Sequence, residues 1–391
     1  MSIKTLQHIQ TRLAGRPAEL AAARKNGAKV VGWFNYNVPE EIIHALGLIP
    51  LRLGTGGDDR LVELGARYIS TGNCVFVRQA TGLFAEGVDP YVKNSDLVVF
   101  DVTCKQVFRA AEVIKHYFHV ETLILGVPYN WTEAAGQIYF RKEVAAFAGK
   151  LEAFAGVKLD TVRLAASVKL FEEIRAALRD IYQYQSLDDA PIQWSQVLDV
   201  IQAGNYLDKV EYLGLLKKLL DELAKAPRPA RNPYPEDAPR LLLTGSIIPP
   251  GDRKLIGIIE ELGGRVVADD LWSGFAVARF VKIAAPTLDA IADAYLIPHA
   301  SLPNLDFESD QRLKNLKTLV TEFGARGIIY HSLRYCDAFT FKVPETKRVF
   351  VESGTPLLEI HTEYAASDFE AIRTRLEAFI ELVKAKDAVL V

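Results

Sequence analysis

Apolar residues in the first third of the chain gather into short, nearly unbroken runs: AKVVGWF at 28–34, LIPLRL at 48–53, SDLVVFD at 95–101 and ETLILGVP at 121–128. Their length and β-branched content suit strands buried on both faces, as in a parallel sheet, and helical spacing fills the stretches between them. The helix predicted over 39–46 is well marked. Pro39 suits its first turn, Glu40 and Glu41 complement the N-terminal dipole, and Gly47 can take a left-handed cap. From about 131 to 225 the pattern becomes mainly helical, with FRKEVAAFAGKLEAF and LDKVEYLGLLKKLLDELAK as its clearest segments. Five prolines in KAPRPARNPYPEDAPR at 225–240 then interrupt any helix and predict an extended linker. Beyond it, RLLLTGSIIP, DRKLIGIIEELGG and RVVADD read as strand, helix, strand. The pattern continues through ARGIIYHS at 325–332, a helix near 342–353, TPLLEIHTE at 355–363 and a closing amphipathic helix, SDFEAIRTRLEAFIELVKAK.

These elements predict an α/β fold of two Rossmann-like, doubly wound parallel-sheet domains with an additional helical layer. The expected division is an N-terminal helical segment (1–30), a first α/β domain (31–150), a helical subdomain (151–225), the Pro-rich linker (226–240) and a second α/β domain (241–391). SDLVVFDVTCKQVFRAAEVI and ARGIIYHSLRYCDAFTFKVPETKRVF share one plan of buried strand, cysteine-bearing loop and helix. A distant structural duplication is therefore expected, although no residue-level repeat of fixed period accompanies it.

Hydrophobic residues at 49% and charged residues at 24% fit a globular chain, and a net charge of -3 supplies no basic field for nucleic acid or anionic lipid. The N-terminal stretch lacks the apolar core of a signal peptide, and no run approaches the length of a membrane span. The expected location is cytoplasmic. Only three cysteines occur, at 74, 104 and 336, an odd and widely spaced set that makes a poor disulfide framework. Cys104 follows Asp101 at the carboxyl end of a predicted central strand, and Cys336 holds the same place in the second half. Ligands collect outside those ends in open α/β sheets. Cys74 lies in a loop-like stretch, so the three thiols can converge on one cleft. Thiols of this kind also serve as small core hydrophobes. The C-x-x-C pairs of structural zinc sites are absent, whereas three thiolate corners suit an iron–sulfur cluster. Spacing alone leaves these readings open. LGTGGDD at 53–59 lacks the dinucleotide-binding order and reads as a loop, and no P-loop motif occurs.

VVGWFNYNVPEEIIHALGLIPLRL, GNCVFVRQATGLF, DLVVFDVTCKQVFRAAEV and GIIYHSLRYCDAFTFKVPETKRVFVESGTPLLEIHTEY together resemble the 2-hydroxyacyl-CoA dehydratase and benzoyl-CoA reductase superfamily. The resemblance implies an oxygen-sensitive iron–sulfur oxidoreductase of anaerobic metabolism, with a [4Fe–4S] unit held by Cys74, Cys104 and Cys336. It also implies low-potential electrons delivered by a separate ATP-hydrolysing iron–sulfur activator. Two assemblies are known in the superfamily: heterodimers of related subunits with one cluster each, such as (R)-2-hydroxyacyl-CoA dehydratases, and homodimers holding an [8Fe–9S] double-cubane cluster. A homodimer is the expectation here, a small molecule or acyl-CoA the substrate, and a non-catalytic electron carrier the reading from another class. The chain departs from many dehydratase subunits at Asn35 and Tyr36 and in having no further cysteine. Glu41 matches a family position whose carboxylate lies near the cluster as ligand or base, although a helix-start carboxylate satisfying the dipole reads the same way. His44, at i+3 on the same face, is either a proton relay or a packed histidine. Arg78, Lys105, Arg109 and Arg334 would place positive charge near an anionic cluster, with a solvated surface role as the alternative for each.

Overall fold

The computed structural model describes residues 3–131, 133–226, 234–235, 237–296 and 311–390, and side chains as far as 386. Every predicted strand forms. Strands β1 (Val30–Trp33), β2 (Ile49–Arg52), β3 (Leu97–Val102) and β4 (Thr122–Gly126) make one parallel sheet in the order β2-β1-β3-β4. Strands β5 (Arg240–Gly245), β6 (Arg265–Asp269), β7 (Gly327–Leu333) and β8 (Leu357–Thr362) make a second in the order β6-β5-β7-β8. The two orders are the same, which gives the expected duplication its structural content. Central strands are buried throughout, from Leu97 to Asp101 in β3 and over all of β7, as their unbroken apolar runs require. In each sheet the winding reverses between the two central strands, β1 and β3 or β5 and β7. The carboxyl side of that reversal is where an open α/β sheet leaves a crevice.

Helix boundaries also follow the sequence closely. Pro39 is the residue before helix Glu40–Ala45, and Gly47 takes φ 76° just beyond it. The helical layer consists chiefly of Thr161–Gln183, Trp194–Ala203 and Lys209–Lys225. No helix of the described residues is long and apolar enough to cross a membrane.

The cores cut across the divisions drawn from sequence. The N-terminal helix Lys4–Lys25 is not a segment apart: Ile9 joins the core of the second sheet and Leu20 that of the first. Trp272, Ile291 and Tyr295, all from the second half, pack with Val31, Val99 and Phe140 of the first. Most prolines of the expected linker lie outside the described residues, but its end is fastened. The Tyr234 hydroxyl accepts the Trp194 N–H at 3.0 Å, and the Arg265 guanidinium lies 5.1 Å from the Tyr234 ring.

Candidate metal centre

All three cysteines stand immediately before a helix. Cys74 precedes Val75–Glu86, Cys104 precedes Lys105–Phe118, and Cys336 precedes the short Asp337–Thr340. The first backbone N–H groups of a helix have no partner within it, so each cysteine sulfur faces unsatisfied donors at the positive end of a dipole. The N–H of Phe76 favours the thiolate of Cys74, those of Gln106 and Val107 that of Cys104, and that of Phe339 that of Cys336. Cys104 and Cys336 follow β3 and β7, so both lie at the two winding reversals.

The three thiols border one cavity of about 370 Å³, whose wall includes Asn35, Phe76 and Thr103 from one half and Ile247, Trp272 and Leu333 from the other. Residues 232 apart in the chain thus meet, as the strand ends predict. The neighbouring Cys336 thiol raises Cys74 well above the ordinary range, with burial adding to the rise. Cys336 is lowered by its nearness to Cys74 and Ser246. Burial pushes Cys104 up to about 11 against the backbone donors that favour its thiolate. Among the described residues, no three His, Cys, Asp or Glu side chains come close enough to hold a single metal ion.

The charged candidates separate. Lys105 lines the cavity and is otherwise exposed. Arg78 is buried but turns to the loop before Cys74, its Nε donating to the Asn73 carbonyl at 3.1 Å. Arg334 pairs with Glu363 at 3.1 Å, and Arg109 with Glu112 at 2.6 Å on the surface. Neither of these last two lines the thiol cavity. Glu41 lies away from the cavity wall. It is fully buried, and Arg175 (2.7 Å) and the Tyr295 hydroxyl (2.9 Å) hold its carboxylate. His44 likewise faces the helical layer, its Nδ1 3.0 Å from Ser167 Oγ and its ring edge-on to Phe171. Burial lowers its pKa, as in a packed histidine. Both residues of the helix that begins at Glu40 thus contact helix Thr161–Gln183.

Three residues carry more of the site than their sequence context indicated. Asp101, at the end of β3, accepts the N–H groups of Asn35 (2.9 Å) and Asn37 (2.8 Å) and so shapes the loop that brings Asn35 to the cavity. Burial pushes its carboxyl up to about 7. Its place at a central strand end was the one available signal. Arg52 is fully buried, donates to the Gly54 carbonyl at 3.0 Å and lies over the rings of Tyr36 (4.6 Å) and Phe76 (5.9 Å). Its Nε and Nη2 have no hydrogen-bond partner among the described residues. Its charge favours the buried Asp101 carboxylate, and Phe76, beside it, lines the cavity. Gln106 bridges the cysteine segments, and nothing in the sequence pattern marks it.

This donor set fits an iron–sulfur group: three sulfurs from separate segments, backbone N–H groups beside them, and a buried cation one ring away. A family model described as 2-hydroxyglutaryl-CoA dehydratase, D-component, matches residues 35–383. The beta subunit of lactoyl-CoA dehydratase from Anaerotignum propionicum is 25% identical over 92% of this chain and 93% of the relative. The beta subunit of (R)-2-hydroxyglutaryl-CoA dehydratase from Acidaminococcus fermentans is 24% identical over 97% of this chain and the relative's whole length. One of the benzoyl-CoA reductase subunits from Thauera aromatica is 25% identical over 91% of each chain. The matched span takes in seven of the eight strands and all three thiols, and the chain belongs to the 2-hydroxyglutaryl-CoA dehydratase D-component family.

Proposed function

We propose that Cys74, Cys104 and Cys336 hold an iron–sulfur cluster and that the chain is an oxidoreductase reducing a small substrate at that cluster. The observation carrying this reading is the meeting of three helix-start thiols on one cavity without a single-ion geometry. That arrangement suits a polynuclear unit with a separate corner for each sulfur. When bound, such a cluster supplies single low-potential electrons. The chain has no P-loop of its own, so a separate ATP-hydrolysing activator is the proposed electron source.

The chain's own residues do the rest. Backbone N–H groups at three helix starts stabilise anionic sulfur, and Arg52 adds buried positive charge behind Phe76. Trp272, Phe339 and Leu333 exclude water from the inner wall, which strengthens each of those interactions. Asp101 and Thr103 fix Asn35, whose Nδ2 donates to Thr103 Oγ1 at 2.8 Å. Tyr129 and Phe341 also line the cavity yet stay exposed, at 47% and 67%. A second chain covering that open side completes the enclosure. In a homodimer the joined clusters would be the [8Fe–9S] double cubane.

A second reading, one half of a heterodimeric 2-hydroxyacyl-CoA dehydratase with a [4Fe–4S] cluster, is favoured by relatives that are themselves single subunits of dehydratases or of a reductase. Iron and acid-labile sulfide analysis of anaerobically purified protein, with its mass in solution, separates the two. A dimer of this chain with sulfide in excess of iron supports the double cubane, and activity only with a different subunit supports the dehydratase. Cys104→Ser is expected to lose most of the iron. Full retention in that variant overturns the ligand assignment.

A further inference from the structure

Gln106 ties the three cysteine segments to one another. It sits two residues beyond Cys104, in the first turn of helix Lys105–Phe118. Its Oε1 accepts the backbone N–H of Cys74, and its Nε2 donates to the Tyr335 carbonyl at 2.8 Å, one residue before Cys336. Nε2 also lies 3.5 Å from Asp337 Oδ2, one residue after Cys336. A carboxamide is suited to this place because it offers an acceptor and donors in one plane, whereas a carboxylate only accepts and an ammonium only donates. The segment it reaches is under strain: Tyr335 has φ 64°, a left-handed conformation that a residue with a Cβ keeps only where its surroundings hold it. The bond from Gln106 to the Tyr335 carbonyl is one such hold, and it spans the two halves of the molecule.

We propose that Gln106 is a positioning residue that sets the separation of Cys74 and Cys336 from the Cys104 helix, so that the thiols form a prearranged trio. Its purpose rests on the cluster reading above, but the arrangement is testable without a cluster. Iron-free, reduced protein is treated anaerobically with dibromobimane, which becomes strongly fluorescent when it bridges two thiols, and the bridged peptides are mapped. The wild-type chain is expected to bridge Cys74 to Cys336. Gln106→Ala should bridge them about tenfold more slowly, the effect of losing one or two hydrogen bonds of ordinary net strength. Gln106→Glu keeps the acceptor for Cys74 but loses the donor to Tyr335 and faces Asp337, so it should bridge as slowly as the alanine variant. Labelling of single thiols by monobromobimane should be unchanged in both, and the unfolding temperature should fall by no more than a few degrees, which separates positioning from general loosening.

A second arm reconstitutes the cluster. Gln106→Ala should retain less iron than wild type and give a broadened electron paramagnetic resonance spectrum. Bridging at the wild-type rate in Gln106→Ala, or no Cys74–Cys336 bridge in the wild type, overturns the proposal whatever the iron content. Slowed bridging in a protein whose wild-type form takes up no iron sustains the positioning role and defeats the cluster reading instead.

Discussion

Glu41 has no exposed surface, and its charge is tolerable there because Arg175 and Tyr295 surround the carboxylate. Such a pair adds little net stability, but removing one partner strands the other. Glu41→Gln is therefore expected to cost about 3 kcal/mol in a denaturant titration while leaving the iron content unchanged. Loss of iron with unaltered stability would instead return Glu41 to the metal site. His331 shows the same burial acting on a base. Burial lowers its pKa from 6.5 to about 4, and its Nε2 lies 2.7 Å from Thr362 Oγ1. The folded state thus prefers the neutral ring. Its contribution is present above the unfolded pKa and is lost as pH falls from about 6.5 to about 4, by at most about 3 kcal/mol. Asp269, raised to about 6 by burial, acts in the opposite direction over that range. The test is therefore the difference between wild type and His331→Asn, whose advantage to the wild type should shrink as pH falls through this window. A difference constant with pH would place the acid lability in other groups.

Two helices near the site touch backbone to backbone. A Cβ added to Gly82 in Val75–Glu86 would stand 2.0 Å from the Leu61 carbonyl oxygen of helix Asp59–Gly65, and one added to Gly65 would stand 1.9 Å from that of Arg78. Alanine gains about 1 kcal/mol of helix propensity over glycine, but a clash with rigid backbone outweighs it. Gly82→Ala should be destabilised by about 2 kcal/mol in thermal unfolding. It should also retain less iron, because the displaced helix carries Cys74 at its start. Helix position matters here more than helix propensity. The strand ends before Cys104 and Cys336 were visible in the sequence, and Cys74 was visible as a loop-like stretch. Convergence of all three was expected, but only Cys104 and Cys336 had a central strand end to place them. Cys74 precedes a helix that no strand leads into, and close glycine packing puts it in place.

At the scale of the whole molecule, the LGTGGDD loop holds the two halves against each other. The Gly56 N–H donates to the Pro250 carbonyl at 2.9 Å, and a Cβ on Gly56 would meet Pro249 Cγ at 2.5 Å and the Tyr364 hydroxyl at 2.8 Å. Gly56→Ala should part the halves on this side, raising the radius of gyration in small-angle scattering and lowering iron retention without touching a cysteine. An unchanged radius with normal iron would show that the contact yields locally. The loop read over 53–59 runs as far as Asp58, and glycine there serves close approach of the two halves. The sequence by itself determined the eight strands, the parallel α/β class and the strand-end placement of two thiols. Those follow from local periodicity and from the few ways a chain can wind a parallel sheet. The tertiary structure alone decided which polar side chains serve the thiol cavity. Arg175 meets Glu41 across 134 residues and turns it from the site, while Gln106 reaches Tyr335 across 229 and joins it. A side chain's partner depends on the direction it takes from its helix and on what packs opposite, and neither is written in its neighbours along the chain.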